Sequence, residues 1–207
     1  LRPRAEHAAF AAHGDGLALV RGVLAHRAIE LWHTRGARPD LARTLDTLDD
    51  GALDAPARAA VVAEVDAMLD AFAAGDLAAT LRDPATTAWF EFPFAWDWDG
   101  VPVHGTLDLL YRQGEAWHIV DFKTDDLRGR TPAQVAAPYL SQLALYAGAL
   151  ERATGSVPTA SLAFLRTGER YTPPRADLDA ALAAARAAID GGTLRALDPD
   201  ALDAAEA

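Results

Sequence analysis

Apolar side chains recur with a helical period through the first part of the chain. Over residues 16–34 and 54–74 they return every three or four positions, which predicts two long amphipathic helices. Residues 36–53 are polar and contain proline and glycine, so they predict a loop with one short helix. Residues 76–82 predict a further short helical segment. This part of the chain is therefore expected to be helical.

The pattern changes to strict alternation at WFEFPFAWDW, residues 89–98. Such alternation predicts a half-buried β-strand whose aromatic side chains share one face: Phe90, Phe92, Phe94, Trp96 and Trp98. Asp99-Gly100 predicts a two-residue hairpin turn into a strand over 101–111. A second turn, at Gln113-Gly114, leads into a strand over 116–124. Together these strands predict an antiparallel meander.

The rest of the chain alternates between helix and strand patterns. A long helix is predicted over residues 131–153, a fourth strand over 159–167 and a last helix over 175–190. This order of elements indicates an α/β fold with a mixed central sheet, in which helices flank the three-strand meander. We expect one domain over residues 1–207. Its parts are a helical region over 16–82, a core over 87–190 and an acidic tail over 193–207.

The predicted turns bring charged side chains onto one patch of the sheet. The first turn places Glu91 opposite Asp108, and the second places Asp121 opposite Thr106. Because side chains alternate between faces, one face then carries Glu91, Asp108, Asp121 and Lys123. The other face carries Phe92, Leu107 and Val120.

Clustered carboxylates suggest a metal site. Carboxylates this close repel one another unless a cation lies between them, and an all-oxygen set favours magnesium or manganese. Beside such an ion, Lys123 could polarise a water or stabilise charge developing on a phosphate. The alternative is an ordinary ion pair between Asp121 and Lys123 at the end of a strand. Glu91 remains open as a further ligand, a carboxylate behind the ligands or a surface charge.

The same residues resemble a known family. GTLDLLYRQGEAWHIVDFKTD is similar to the second and third motifs of PD-(D/E)XK nucleases of the RecB and AddA type. Those motifs are a Gly-x-x-Asp strand, here Gly105 to Asp108, followed by Asp-x-Lys, here Asp121 and Lys123. Phe122 stands where the family more often has tyrosine.

Three further segments resemble the same family and extend the match over roughly residues 20–170. RGVLAHRAIE resembles its Gly-x-x-x-His segment and contains His26, and EFPF resembles its Glu-x-Pro-Phe strand. YLSQLALYAGAL resembles its Gln-x-x-x-Tyr motif through Gln142 and Tyr146, although helix-to-sheet packing is an alternative role for both.

The resemblance implies a fold and a set of roles. The fold would be a restriction-endonuclease-like core. The metal ligands would be the side chains of His26, Asp108 and Asp121 and the main-chain carbonyl of Phe122, and the metal would be Mg2+ or Mn2+. Asp108, Asp121 and Lys123 would be the catalytic residues. Gln142 and Tyr146 would stand behind the site or contact DNA.

The resemblance also implies a biological setting. The chain would be the C-terminal nuclease domain of a UvrD-like helicase-nuclease, acting as a DNA exonuclease in recombinational repair. Its partners would be DNA, expected to be single-stranded, and a helicase motor in the same chain or complex. One alternative is a DNA-binding or structural module that keeps the fold without chemistry, and another is a restriction nuclease. The presence of Asp108, Asp121 and Lys123 disfavours the silent module.

Composition narrows these expectations. There is no cysteine, so this chain cannot hold the iron–sulfur cluster of some related nucleases. The formal net charge is -11, which argues against tight binding to DNA through charge alone. No Walker A sequence and no apolar run long enough to cross a membrane occur in it, and a cytoplasmic origin is expected. Since the sequence begins at Leu1, we expect a piece of a longer protein or a processed form.

Overall fold

The computed structural model describes residues 15–49 and 51–191, so the predicted acidic tail lies outside the described residues. Contacts between Cα atoms divide the chain into two compact units. The first unit comprises Leu1–Gly75 and Leu165–Gly168, and the second comprises Asp76–Phe164 and Glu169–Ala207. The single-domain organisation expected from the sequence stays a prediction.

The described residues of the first unit form three helices: α1 (Asp15–Arg35), α2 (Leu41–Asp46) and α3 (Ala55–Ala74). Aspartates begin two of them, since Asp40 accepts a hydrogen bond from the Arg43 N–H and Asp54 accepts one from the Ala57 N–H. The helices pack through apolar side chains that include Leu24, Ile29, Leu45, Val65 and Leu69. The predicted helices of this region are confirmed.

The second unit is built on one five-stranded sheet with the order β1-β2-β3-β4-β5. Its strands are β1 (Thr86–Trp98), β2 (Val101–Gln113), β3 (Ala116–Lys123), β4 (Thr159–Phe164) and β5 (Glu169–Tyr171). Its helices are α4 (Asp76–Arg82), α5 (Pro132–Val135), a 3-10 helix (Ala137–Tyr139), α6 (Leu140–Thr154) and α7 (Arg175–Asp190). Among the five described strands β3 and β4 pair in parallel and the other neighbours pair antiparallel, so the sheet is mixed and the predicted α/β fold class is confirmed. No helix among the described residues is both long and apolar enough to span a membrane.

The helix predicted over 131–153 is interrupted. Thr131 begins α5 with a capping box, and a 3-10 turn through Pro138 then separates α5 from α6. Proline disfavours helical backbone in the residue before it and has no N–H to donate, which explains the break. The strand predicted over 159–167 is also shorter than expected, because the chain turns back through Gly168 to form β5.

The predicted register is confirmed for β1 and β2 and wrong for β2 and β3. Trp98 pairs with Val101, as the first turn required. In the second hairpin Gln113 pairs with Ala116, so Gly114-Glu115 forms the turn and the register moves by two residues. Gly114 has a φ of 56°, a left-handed conformation that a two-residue turn needs at its first position. A shift of two does not by itself move a side chain to the other face of the sheet.

The strict alternation predicted for β1 fails at Glu91. Trp89 and Phe94, five positions apart, pack against the same core cluster, and Glu91 between them has a left-handed φ of 48°. The inward face also changes on β2, because Leu107 and Leu110, three positions apart, both belong to that cluster. Leu107 therefore shares a face with Ile119, and its predicted place on the opposite face is wrong.

The core of the second unit lies between one face of the sheet and the helices α6 and α7. It contains Leu107, Leu110, Ile119, Leu143, Tyr146, Leu162, Phe164 and Leu178. A smaller cluster beside it joins Trp98, Val103, Leu145 and Ala185. Asp121 and Lys123, at the end of β3, lie on the face of the sheet that these helices cover.

Candidate active site

Two buried charges lie at the end of β3. Asp121 and Lys123 are only 3% and 7% exposed, and they share the face of β3 that carries Ile119. The Lys123 ammonium forms an ion pair with Asp121 Oδ2 at 3.1 Å. Their neighbours on the parallel strand are apolar, Leu162 beside Asp121 and Phe164 beside Lys123. Charges are costly to bury unless several groups compensate them, so the surrounding contacts matter.

Helix α6 and the 3-10 helix that precedes it supply further compensation for Lys123. The ammonium donates a hydrogen bond to Gln142 Oε1 at 3.1 Å and lies 4.1 Å from the centre of the Tyr139 ring. Gln142 Nε2 donates in turn to the Tyr146 hydroxyl at 3.0 Å, which fixes the orientation of the amide. Gln142 and Tyr146 can form this pair because residues four apart share a helix face.

Tyr146 joins this network to β1. It is 1% exposed, and its ring meets the edge of the Phe94 ring with the two centres 5.5 Å apart. The network therefore runs from Asp121 through Lys123, Gln142 and Tyr146, and it ends in an aromatic contact with the first strand. This chain of contacts holds the lysine in place on the apolar side of the sheet.

Asp108 reaches the same strand end from β2. It is half-buried, and its Oδ2 accepts a hydrogen bond from the Phe122 N–H at 2.8 Å. Phe122 lies between Asp121 and Lys123 in the chain, so this bond fixes the Asp108 carboxylate beside the Asp-x-Lys segment. The Phe122 side chain is itself buried.

Glu91 is the fourth acidic or basic side chain near the strand end, and sequence reasoning left its role open. A carboxylate oxygen of Glu91 lies within 4.8 Å of one of Asp108. The signal that could have identified it was the predicted pairing of Glu91 with Asp108, together with its place in EFPF. Glu91 is exposed and Asp108 half-buried, so this part of the site opens toward solvent.

The donor set fits a hard divalent cation. Glu91 and Asp108 both offer carboxylate oxygens, and the described part of the chain contains no thiolate that would favour a softer metal. Two carboxylates that approach as closely as Glu91 and Asp108 repel each other, and a bound cation would relieve that repulsion. These residues could therefore hold Mg2+ or Mn2+.

The structure brings together most of the side chains that the sequence singled out. Asp108, Asp121, Lys123, Gln142 and Tyr146 lie within the second unit and are linked by the contacts above. His26 lies on α1 in the first unit, where it is half-buried.

Comparison with known proteins gives one finding on the family. No curated protein matches the chain. The family model of the PD-(D/E)XK nuclease superfamily matches residues 4–206, which is nearly the whole sequence and includes every residue of the network at the end of β3. The chain therefore belongs to the PD-(D/E)XK nuclease superfamily.

Proposed function

We propose that this chain is a divalent-metal-dependent deoxyribonuclease that hydrolyses the phosphodiester bonds of DNA. The observation that carries the proposal is the buried network at the end of β3. In it Lys123 contacts both Asp121 and Gln142, while Asp108 is fixed by the Phe122 N–H. Asp108, Asp121 and Lys123 follow the order of the superfamily motif, which contains an acid, a second acid and a lysine.

A purely structural ion pair explains the network less well. A buried ion pair is often no more stabilising than apolar residues of the same size, so its presence needs another reason. Two further carboxylates lie near this strand end, because Asp108 accepts a hydrogen bond from the Phe122 N–H and Glu91 approaches Asp108, and an ion pair between Asp121 and Lys123 does not require them. Chemistry that uses the carboxylates explains why they are gathered here.

The proposed roles follow from the contacts. A bound divalent ion would supply an activated water and stabilise negative charge on the phosphate. Asp108 and Asp121 would hold that ion, with Glu91 and the Phe122 carbonyl as further candidates. Lys123, which is ion-paired with Asp121, is the group that would neutralise an oxyanion on the substrate. Gln142, oriented by Tyr146, positions the lysine.

His26 is proposed as an additional metal ligand. This part of the proposal comes from the resemblance of its segment to the Gly-x-x-x-His motif, since a neutral imidazole is a good ligand for divalent metals. It is tested by comparing the metal affinity of the wild type with that of His26→Gln.

The finer proposal concerns substrate and setting. The four motif resemblances favour an exonuclease that acts on single-stranded DNA delivered by a helicase motor, in recombinational repair. The rival is a silent module that binds DNA without cutting it. Retention of Asp108, Asp121 and Lys123 in one contact network favours the enzyme.

The test measures cleavage of labelled single-stranded and linear double-stranded DNA with Mg2+ or Mn2+. Asp121→Asn and Lys123→Met should each reduce the rate by roughly a hundred- to a thousandfold, the range for loss of one electrostatic catalytic group. Asp125→Asn is the matched control, because Asp125 is exposed two residues beyond Lys123 and should leave the rate unchanged. Binding without cleavage by the wild type under every metal would favour the silent module.

A further inference from the structure

A basic cavity lies in the first unit. It has a volume of about 400 Å³ and is lined by residues of α1, of α2 and of the loop between them, and by the residue that follows α2. The lining residues are Arg27, Leu31, Arg35, Pro39, Asp40, Arg43, Thr44 and Thr47. Three of these are arginines and one is an aspartate, so the lining carries a net positive charge in a protein whose formal net charge is -11.

Two of the three guanidinium groups are available for a ligand. Arg27 is ion-paired with Glu30 at 2.5 Å. Arg35 and Arg43 are both exposed, and within residues 15–49 and 51–191 neither guanidinium group forms an ion pair. Arg38, close by in sequence, differs because it is bound by Asp66 and Asp70.

The other polar groups of the lining are already engaged. Asp40 accepts a hydrogen bond from the Arg43 N–H as the N-cap of α2. The hydroxyl of Thr44 donates to the Asp40 carbonyl, and that of Thr47 donates to the Thr44 carbonyl. The arginines are therefore the donors that remain for a ligand, and planar guanidinium groups pair well with phosphate oxygens.

We propose that this cavity binds a nucleotide unit of a nucleic-acid strand, with Arg35 and Arg43 holding its phosphate. The volume lies within the range of pockets that take small organic molecules, so it has room for a sugar or base as well as the phosphate. Leu31 and Pro39 provide apolar surface for that part. The inference rests on the proposed nuclease function for its substrate class, and its test does not require cleavage.

The test measures binding of a fluorescent oligothymidylate strand to the full chain, with EDTA present and Asp121→Asn in the background to prevent cleavage. Arg35→Gln and Arg43→Gln should each raise Kd by roughly three- to tenfold, as expected for an exposed ion contact that is well aligned. The slope of log Kd against log salt should fall by about 0.7 for each phosphate contact that is lost.

Arg152→Gln is the matched control. Arg152 is also an exposed arginine in the last turn of a helix, so this variant removes the same charge and the same interaction with a helix end, but outside the cavity. Its Kd should change less than twofold. If Arg35→Gln, Arg43→Gln and Arg152→Gln raised Kd equally, net charge alone would explain the change and the proposal would be overturned. An unchanged Kd in the Arg35 and Arg43 variants would overturn it as well.

Two further measurements distinguish binding of a strand from binding of free nucleotides, and distinguish failure of this binding site from failure of the proposed nuclease function. Thymidine monophosphate, added at the same concentration of phosphate groups, should compete poorly; competition as strong as that of the strand would assign the cavity to free nucleotides and overturn the proposal. Failure of the wild type to cleave DNA, with the Arg35 and Arg43 effects intact, would remove the proposed function and leave this binding site. Cleavage by the wild type, with strand binding unaltered in the Arg35 and Arg43 variants, would support the proposed function and overturn this binding site.

Discussion

Lys123 is buried among apolar residues, so replacing it should alter stability as well as chemistry. A side chain needed only in the transition state could be removed without loss of fold. Here Lys123→Met would leave the Asp121 carboxylate buried beside apolar neighbours without its ion pair. We expect the free energy of unfolding to fall by about 3–5 kcal/mol, the usual result of breaking a buried pair.

The double variant Asp121→Asn with Lys123→Met provides the control for that prediction. It removes both charges, so most of the lost stability should return, while DNA cleavage stays absent. Urea unfolding of the wild type, both single variants and the double variant, without metal, gives the coupling energy of the pair. If the two single effects simply added in the double variant, the charges would not be compensating each other in the folded state.

At the same scale, the candidate site was largely predictable from sequence. Asp108, Asp121 and Lys123 follow one another at motif spacing within two neighbouring strands, so local sequence carries the information. The contacts of Lys123 with Gln142 and Tyr139 were not predictable, because they depend on how α6 packs against the sheet. The arginine cavity was also missed, since its lining converges only after α1 and α2 fold together.

At the scale of elements, the close approach of α6 to β1 depends on Gly148. A Cβ atom added there would lie 3.2 Å from Trp96 Cη2 and 3.5 Å from Leu182 Cδ2. We predict that Gly148→Val lowers the free energy of unfolding by about 1–3 kcal/mol, because a side chain forced into a packed interface displaces its neighbours. Ala153→Val, at an exposed position of the same helix, is the matched control and should cost less. Because valine has a better helix propensity than glycine and a poorer one than alanine, propensity alone would make Gly148→Val the less costly change, so a cost no larger than that of Ala153→Val would contradict the prediction.

Element types were predicted more successfully than element details. Long helices and alternating strands give strong periodic signals, and these were confirmed. The break between α5 and α6 depends on one proline-containing turn, and β5 has three residues, too few for a period to be visible. The second hairpin was displaced because Gln113-Gly114 and Gly114-Glu115 are both acceptable turns, and only the pairing across the strands selects between them.

At the scale of the whole molecule, charge should limit the encounter with DNA. A net charge of -11 repels a polyanion over a screening length of about 8–10 Å at ordinary salt. We predict that fusing the chain to a sequence-nonspecific DNA-binding domain raises the cleavage rate at dilute DNA by at least about a hundredfold, through effective concentration, and leaves the rate at saturating DNA unchanged. The same fusion carrying Asp121→Asn should remain inactive.

That prediction fails if the unfused chain already cleaves nanomolar DNA at its saturated rate. Such a result would mean that local basic groups outweigh the net charge, and a motor would not be needed for delivery. A fusion that raised the saturated rate as well would indicate that the added domain changes the chemistry rather than the encounter.

The left-handed residue at Glu91 has a consequence for reading related sequences. Trp89 before it and Phe94 after it pack against the same core cluster, so the inward face of β1 changes by one position at Glu91. The aromatic residues of the sequence nevertheless alternate in one phase from Phe90 to Trp98, so a two-residue period places Trp89 on the wrong face. In a sequence too divergent for its motifs to be recognised, alternation alone would therefore miss this change, whereas a structure in which a strand changes its inward face at an acidic residue would mark the site without any motif.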